Sequence, residues 1–373
     1  MRRLPLASLL TQRVRPDVRA MHAYAVQSSA GLLKMDAMEN PHRLSPALQA
    51  QLGERLGAVA LNRYPGERLR DLRSALAAHA GMPDGFDIML GNGSDELISL
   101  LAMACDVPGA SVLAPVPGFV MYAMSARLQG LQFVGVPLRE DLELDEAAML
   151  AAIAQHQPAL IYLAYPNNPT ANLWDDAVIE RIIDAAPGFV VIDEAYQPFA
   201  SRSYMGRLAR HDHVLLMRTM SKFGLAGVRI GYLVGPAAAI REIDKVRPPY
   251  NISVLNAECA LFALEHADVF AAQAQDIIAQ RAVLRAGLQE LPGVQVYRSD
   301  ANMILVRLAP LQGAGDDVAT TVFQRLKTQG VLVKNMAGFH PLLANCLRLT
   351  VGTAPENRTL LTALKDSLCP APP

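Results

Sequence analysis

Cysteine is scarce in this 373-residue chain: Cys105, Cys259, Cys346 and Cys369 are the only four, and no two form a CxxC pair. That scatter excludes a disulfide framework and a cysteine-based zinc site, and it fits packing residues in a reducing compartment. An excess of charge of one sign is also missing. The 34 basic and 35 acidic side chains leave a formal net charge of -1, so nothing in bulk attracts nucleic acid. No segment approaches the roughly 18 unbroken apolar residues of a membrane span. The start, Met1-Arg2-Arg3-Leu4-Pro5, is basic, but Pro5 breaks the apolar stretch and no small-residue cleavage site follows. The expectation is a cytoplasmic protein without a signal peptide, membrane segment or nucleic-acid partner.

What is plentiful is apolar residues, 51% of the chain against 18% charged. A single core stops growing at about 250 to 300 residues, so two domains are expected. Residues 1–33 show no long periodic pattern and read as an arm. From Asp87 onward, short apolar runs alternate with helical ones: 88–90, 112–114, 160–163, 189–192 and 214–217. Runs this short, apolar on both faces and separated by helices, predict a mainly parallel sheet covered on both sides. Earlier, Ser45 and Pro46 predict the start of a helix over 45–56. Later, helical patterns cover 236–245, 254–291 and 316–327, with Pro292-Gly293 stopping the second. Strand-like runs at 294–296, 303–306, 331–333 and 347–351 and a last helix from Pro355 suggest a smaller α+β domain. The expected division is an arm at 1–33, a large α/β domain at 34–275 and a small domain at 276–373. The tail Pro370-Ala371-Pro372-Pro373 reads as disordered.

The chemistry concentrates at the ends of the apolar runs, where α/β sheets bind ligands. Lys222 sits in Arg218-Thr219-Met220-Ser221-Lys222-Phe223-Gly224-Leu225-Ala226-Gly227-Val228-Arg229. A lysine beside a hydroxyl, with a small loop and an arginine seven residues on, suits an amine bonded covalently to a cofactor whose phosphate Ser221 and Arg229 hold; pyridoxal phosphate fits that description. Alone, Ser-Lys matches a solvated loop lysine better, since so short a motif often recurs by chance. Asp193 ends the run Phe189-Val190-Val191-Ile192, where it can pair with a pyridinium nitrogen or cap a helix. Tyr196, three residues on, can reach a phenolic oxygen from the same loop. In Tyr165-Pro166-Asn167-Asn168-Pro169-Thr170, prolines fix a turn that can aim Asn168 at that oxygen. Gly91-Asn92-Gly93-Ser94-Asp95-Glu96 is a glycine-rich turn between strand and helix whose amides suit a phosphate, although it lacks both the P-loop ending and the GxGxxG spacing. Arg348 lies in an apolar strand, where it either grips a substrate carboxylate or makes a structural ion pair. His211-Asp212-His213 has no third ligand nearby in sequence, and no metal site is expected.

The order of these elements resembles the fold type I pyridoxal phosphate aminotransferases over nearly the whole chain. The closer similarity is to the members that act on histidinol phosphate. It is carried by Asn40-Pro41 after Met38-Glu39, Arg63-Tyr64-Pro65, Gly91 to Glu96, Tyr165 to Thr170, Val191 to Tyr196, the Lys222 run, and Leu347-Arg348-Leu349-Thr350-Val351-Gly352. The resemblance implies Lys222 as the Schiff-base lysine and proton carrier and Asp193 at the ring nitrogen. It implies Asn168 and Tyr196 at the phenolic oxygen, and Tyr122 of Pro117-Gly118-Phe119-Val120-Met121-Tyr122 stacked on the ring; core packing is the other reading of Tyr122. Ser94, Asp95, Thr219, Ser221 and Arg229 would surround the phosphate. Tyr64 would reach it from the other subunit of a homodimer, and Tyr24 would close over the substrate.

One departure concerns Lys334 in Val331-Leu332-Val333-Lys334-Asn335, where the family usually has an arginine to take the substrate's phosphate. Lysine keeps the charge but loses the fork geometry. The implied reaction is histidinol phosphate with 2-oxoglutarate, or glutamate in reverse, in histidine biosynthesis. Rivals on the same fold are transamination of aromatic amino acids and decarboxylation of threonine phosphate. A non-catalytic regulator would need a DNA-binding domain.

Overall fold

The computed structural model describes residues 4–21, 27–312 and 315–368. Tyr24, Cys369 and the tail Pro370 to Pro373 lie outside the described residues. Residues Met1–Gly31 and Leu32–Pro373 form two compact units. Within the first, helices Leu6–Arg13 and Pro16–Ala20 contain no buried residue.

In the second unit a short strand, β1 (Leu33–Lys34), comes first. Seven strands follow: β2 (Phe86–Gly91), β3 (Ser111–Val116), β4 (Gln132–Pro137), β5 (Leu160–Ala164), β6 (Phe189–Asp193), β7 (Val214–Thr219) and β8 (Gly231–Pro236). They form one sheet in the order β2-β8-β7-β6-β5-β3-β4. Only β8 runs antiparallel to its neighbours. This is the mainly parallel sheet that the alternating runs predict.

Side-chain alternation explains how the sheet is held. In a strand, successive residues face opposite ways. Ile161, Leu163, Val190, Ile192, Val214 and Leu216 therefore enter a core on one face. Tyr162, Leu160, Val191, Leu215 and Met217 enter a second core on the other. Every residue of β5 and β7 is buried, as expected when helices cover both faces.

Beyond β8 the strands are β9 (Val294–Val296), β10 (Met303–Leu308), β11 (Val331–Leu332), β12 (Lys334–Asn335) and β13 (Cys346–Thr350). Four of them form an antiparallel sheet in the order β12-β13-β10-β9, while β1 pairs with β11 in parallel. Their core includes Ile304, Val306, Leu347, Leu349 and Leu360.

Local expectations hold where capping chemistry is explicit. Ser45 Oγ accepts from the Leu48 amide, with Pro46 at the first position of helix Pro46–Gly57. The helical pattern over 254–291 is instead two helices, Val254–Glu265 and Ala267–Gln289. His266, at φ -116 and ψ 35, leaves the helical region between them. Neither glycine nor proline marks that break, so the apolar pattern runs through it. The reading also missed β8. Its Gly231, Gly235 and Pro236 look like loop residues, yet a Cβ at Gly235 would lie 2.4 Å from Leu215 Cδ2, so close packing requires glycine there.

Leu163, fully buried at the centre of the large sheet, gives a direct test of this packing. Leu163→Ala is expected to cost about 2–5 kcal/mol. Urea unfolding should show a lower midpoint with an unchanged slope.

Candidate active site

The C-terminal ends of β5, β6 and β7 and the loop before helix Ser94–Ala104 open into one cavity. Ser94, Asp95, Tyr122, Asn168, Asp193, Tyr196, Thr219, Ser221, Lys222 and Arg229, all singled out from sequence, line it. Met38, Phe119, Pro166 and Ala195 line it too and were not singled out. Phe119 lies three residues before Tyr122, and Met38 precedes Glu39-Asn40-Pro41, so only their being apolar hid them.

One end of the cavity is built for a polyanion. Helix Ser94–Ala104 starts with no side-chain cap, leaving its first amides and the positive end of its dipole open. Gly93, at φ +79, makes the turn, and a Cβ there would lie 2.5 Å from Arg229 Nη2. A Cβ at Gly231 would lie 2.6 Å from the Ser94 nitrogen, so both glycines permit the close approach of β8, the helix start and Arg229. Arg229 Nη2 also donates to Asp95 Oδ2 at 3.2 Å. The Thr219 hydroxyl lies 3.0 Å from Ser221 Oγ and accepts from the Ser221 amide at 3.1 Å. Amides, two hydroxyls and an arginine converge there.

At the other end lie a buried carboxylate and a part-buried amine in unusual electrostatic surroundings. Asp193 Oδ2 accepts from the Tyr122 hydroxyl at 2.7 Å and Oδ1 from the Ala195 amide at 3.0 Å. Both bonds favour the carboxylate, but burial outweighs them and raises its pKa to about 6. Lys222 Nζ donates to the Ala37 carbonyl at 3.0 Å and lies 5.8 Å from the Tyr196 ring centroid. Burial, and after it the charge of Arg348, lower its pKa to about 8. A neutral amine at Lys222 is therefore accessible near neutral pH, as a nucleophile or proton acceptor requires.

Asn168 Nδ2 donates to the Tyr196 hydroxyl at 2.9 Å. Arg348 joins this pair, its Nη1 donating to Asn168 Oδ1 at 2.6 Å and its Nη2 to the Asp36 carbonyl at 2.9 Å. Burial pushes the Tyr196 phenol up, against the opposing charge of Arg348. Lys334 is the cross-strand partner of Arg348 in the β12–β13 pair. It lies 5.3 Å from the Phe339 ring centroid, and burial followed by the Arg348 charge lowers its pKa.

Tyr122 packs in a core, the other reading that the sequence offered, and lines the cavity as well. Its buried ring stacks on Tyr162, with centroids 4.4 Å apart and planes 8° apart, while its hydroxyl goes to Asp193. Phe119 packs edge-on against it. Tyr64 does not line the cavity; it is 75% exposed and stacked on Tyr250 at 4.2 Å. His211 Nε2 faces Glu180 and His213 Nε2 faces the Ile183 carbonyl. Another cleft, lined by Arg139, Glu143, Trp174, Asp176, Arg202 and Arg298, pairs its charges internally, Arg298 with Glu143 and Arg202 with Asp176.

The donor set therefore fits a cofactor with a phosphate, a protonatable ring nitrogen and a carbonyl. A helix start with Arg229 and two hydroxyls suits the phosphate, a carboxylate in a costly buried place suits a cationic nitrogen, and Lys222 suits the carbonyl.

Comparison with known proteins agrees with this chemistry. The family described as aminotransferase class I and II matches residues 32–364. A histidinol-phosphate aminotransferase of Polaromonas naphthalenivorans is 70% identical over 362 residues, covering 96% of this chain and 97% of that protein. One from Methylibium petroleiphilum is 67% identical, covering 98% and 97%. Among solved structures, the histidinol-phosphate aminotransferase of Sinorhizobium meliloti in complex with pyridoxal-5'-phosphate superposes with a TM-score of 0.83 at 25% identity, covering 95% of this chain and 97% of that one.

The pKa of Asp193 makes a stability prediction for the cofactor-free protein. A raised folded-state pKa means that ionisation favours unfolding, so stability is lost as pH rises from about 4, the unfolded value, to about 6. Asp193→Asn removes that loss. The Asn variant should gain on the parent by on the order of 2–3 kcal/mol between about pH 4 and 7.5 in urea titrations. A stability difference independent of pH would contradict the burial argument.

Proposed function

This chain belongs to the aminotransferase class I and II family, and from that premise we propose that it transfers an amino group between histidinol phosphate and 2-oxoglutarate with pyridoxal 5'-phosphate as cofactor. The observation that supports the cofactor most directly is the single cavity wall that holds Lys222, Asp193, Asn168, Tyr196 and the Ser94, Thr219, Ser221 and Arg229 group. The substrate rests on the names of these relatives, 67% and 70% identical to this chain.

When bound, pyridoxal 5'-phosphate supplies a carbonyl that condenses with amines and a ring that delocalises the electron pair left by a departing α proton. The chain's own residues do the rest. The open helix start at Ser94 and Asp95, the Thr219 and Ser221 hydroxyls and Arg229 bind the phosphate. Asp193, ionised beside a cationic nitrogen and held by Tyr122, favours the protonated ring. Asn168 and Tyr196 orient the phenolic oxygen. Lys222 would carry the cofactor through its amine and, as a free amine, would move the α proton of the substrate. Phe119, Met38 and Pro166 supply the apolar part of the cavity's lining.

The two substrates differ in their anionic groups, a phosphate on one and carboxylates on the other. Arg348 suits a carboxylate through its fork, and Lys334, on the adjoining strand, offers a point charge to a phosphate. The reading extends to a homodimer in which the exposed Tyr64 reaches the neighbouring subunit's cofactor phosphate, to Tyr24 as part of the substrate closure, to a division near residue 275 between large and small domains, and to a cytoplasmic location. Among the described residues no helix is long and apolar enough to cross a membrane.

Steady-state kinetics test the substrate. With 2-oxoglutarate as acceptor, kcat/KM for histidinol phosphate should exceed that for phenylalanine by at least about tenfold, or about 1.4 kcal/mol in transition-state binding. It should likewise exceed any decarboxylation of threonine phosphate, and equal or better efficiency with phenylalanine would overturn the histidine-pathway reading. Lys222→Ala should lower turnover by about 10²–10⁴-fold or more and remove the visible absorption of the bound cofactor. For the shared site, mixing inactive Lys222→Ala and Tyr64→Ala chains should restore part of the activity. No recovery in mixed dimers that demonstrably form would rule out Tyr64 crossing over.

A further inference from the structure

Directly behind the cavity wall lies a charged pair that the chemistry above does not use. Asp193 ends β6 and lines the cavity; Glu194 follows and, by alternation, turns the other way, its side chain fully buried. In β7, Thr219 lines the cavity and Arg218, one residue earlier, turns away, with 10% of its side chain exposed. Arg218 donates to Glu194 Oε2 from Nε at 2.9 Å and from Nη2 at 2.8 Å.

Building on the function proposed above, we infer that Glu194 and Arg218 are positioning residues, whose buried pair locks the ends of β6 and β7 and the loop after β6 so that Asp193, Tyr196 and Lys222 keep their places around the cofactor.

The bonds made by one carboxylate carry this inference. Besides Arg218, Glu194 accepts from the Ser203 hydroxyl at 3.1 Å and from the Tyr204 amide. Ser203 Oγ in turn accepts from Arg218 Nη2 at 3.0 Å. Glu194 thus closes the loop from 194 to 204 onto its own start. That loop carries the Ala195 amide that holds Asp193 Oδ1, and it carries Tyr196. The Glu194 amide also donates to the Met217 carbonyl at 2.8 Å, continuing the β6–β7 pairing one residue past the strand. Movement of Arg218 would shift Thr219, Ser221 and Lys222, which follow it in the chain.

A purely structural ion pair predicts something different. Replacing a buried pair by neutral groups of similar size is often neutral for stability, whereas removing one partner strands a charge. The double variant Glu194→Gln/Arg218→Met therefore separates the two roles. Holding fold and position apart requires three measurements on parent and variant: melting temperature without cofactor, Kd for pyridoxal phosphate by fluorescence titration, and kcat and KM with glutamate as donor. A positioning role predicts a melting temperature within about 4 °C of the parent. It also predicts Kd raised by about tenfold or more and kcat lowered with KM for glutamate little changed. Unchanged Kd and kcat in the folded variant would overturn it. If the double variant does not fold, Arg218→Lys, which keeps the charge but loses the fork, decides by the same Kd and kcat measurements. A parent protein that takes up no pyridoxal phosphate would refute the proposed function itself, an outcome separate from failure of the positioning role.

Discussion

The carboxylate of Asp193 is buried at the end of a strand covered on both faces, and the arrangement around it follows from making that tolerable. Two hydrogen bonds, from Tyr122 and the Ala195 amide, leave its pKa still raised to about 6. A cation is the group that would repay the remaining desolvation, and the cavity opens directly onto the carboxylate. The same low-polarity surroundings act on Lys222 in the opposite sense, lowering it to about 8 with help from the charge of Arg348. Burial thus brings an acid and an amine toward each other's range without direct contact between them. On the proposed function, that narrowing is the electrostatic basis on which Lys222 serves as both nucleophile and proton carrier.

Topology explains why these groups meet. Parallel strands all end on one side, so β5, β6 and β7 deliver the Asn168 turn, Asp193 and the Thr219 to Lys222 segment to one edge. The antiparallel β8 then starts at that same edge, bringing Arg229 just before it. Gly93 and Gly231 remove the side chains that would hold β8 away from the start of helix Ser94–Ala104. On the proposed function, the phosphate end is therefore a product of backbone packing, while the catalytic end is a product of side-chain burial.

Much of this was legible in the sequence because each site residue ends an apolar run or follows a glycine-rich turn. Lys222, Asp193, Asn168, Tyr196 and Arg229 stand out by chemical contrast with their neighbours, and they do share one cavity. Phe119 and Met38 carry no such contrast, since an apolar residue in a cavity looks like one in a core. The bond from Tyr122 to Asp193 spans 71 positions in the chain, and no local pattern encodes a contact that distant. Glu194 and Arg218 each look like a surface charge until the strand alternation shows both turned inward. The break at His266 escaped because both flanking segments have good helix formers and the interruption is one residue long. What sequence reading captures is chemistry with a local signature; what it misses is partnership across the fold.

Arg348 and Lys334 show how such partnership bears on specificity. They are direct cross-strand partners, and like charges so placed oppose each other. The two respond unequally. Arg348 is tied to Asn168 and the Asp36 carbonyl and stays charged at any ordinary pH, whereas Lys334 has its pKa lowered by burial and by Arg348 itself. On the proposed function, a phosphate arriving beside them would relieve the repulsion and favour the protonated form of Lys334, against the burial and the Arg348 charge that lower its pKa. A carboxylate held by the Arg348 fork neutralises the fixed charge without demanding the second cation. On that reading the lysine lets the site respond differently to the two substrates, and the difference arises from one cross-strand pair.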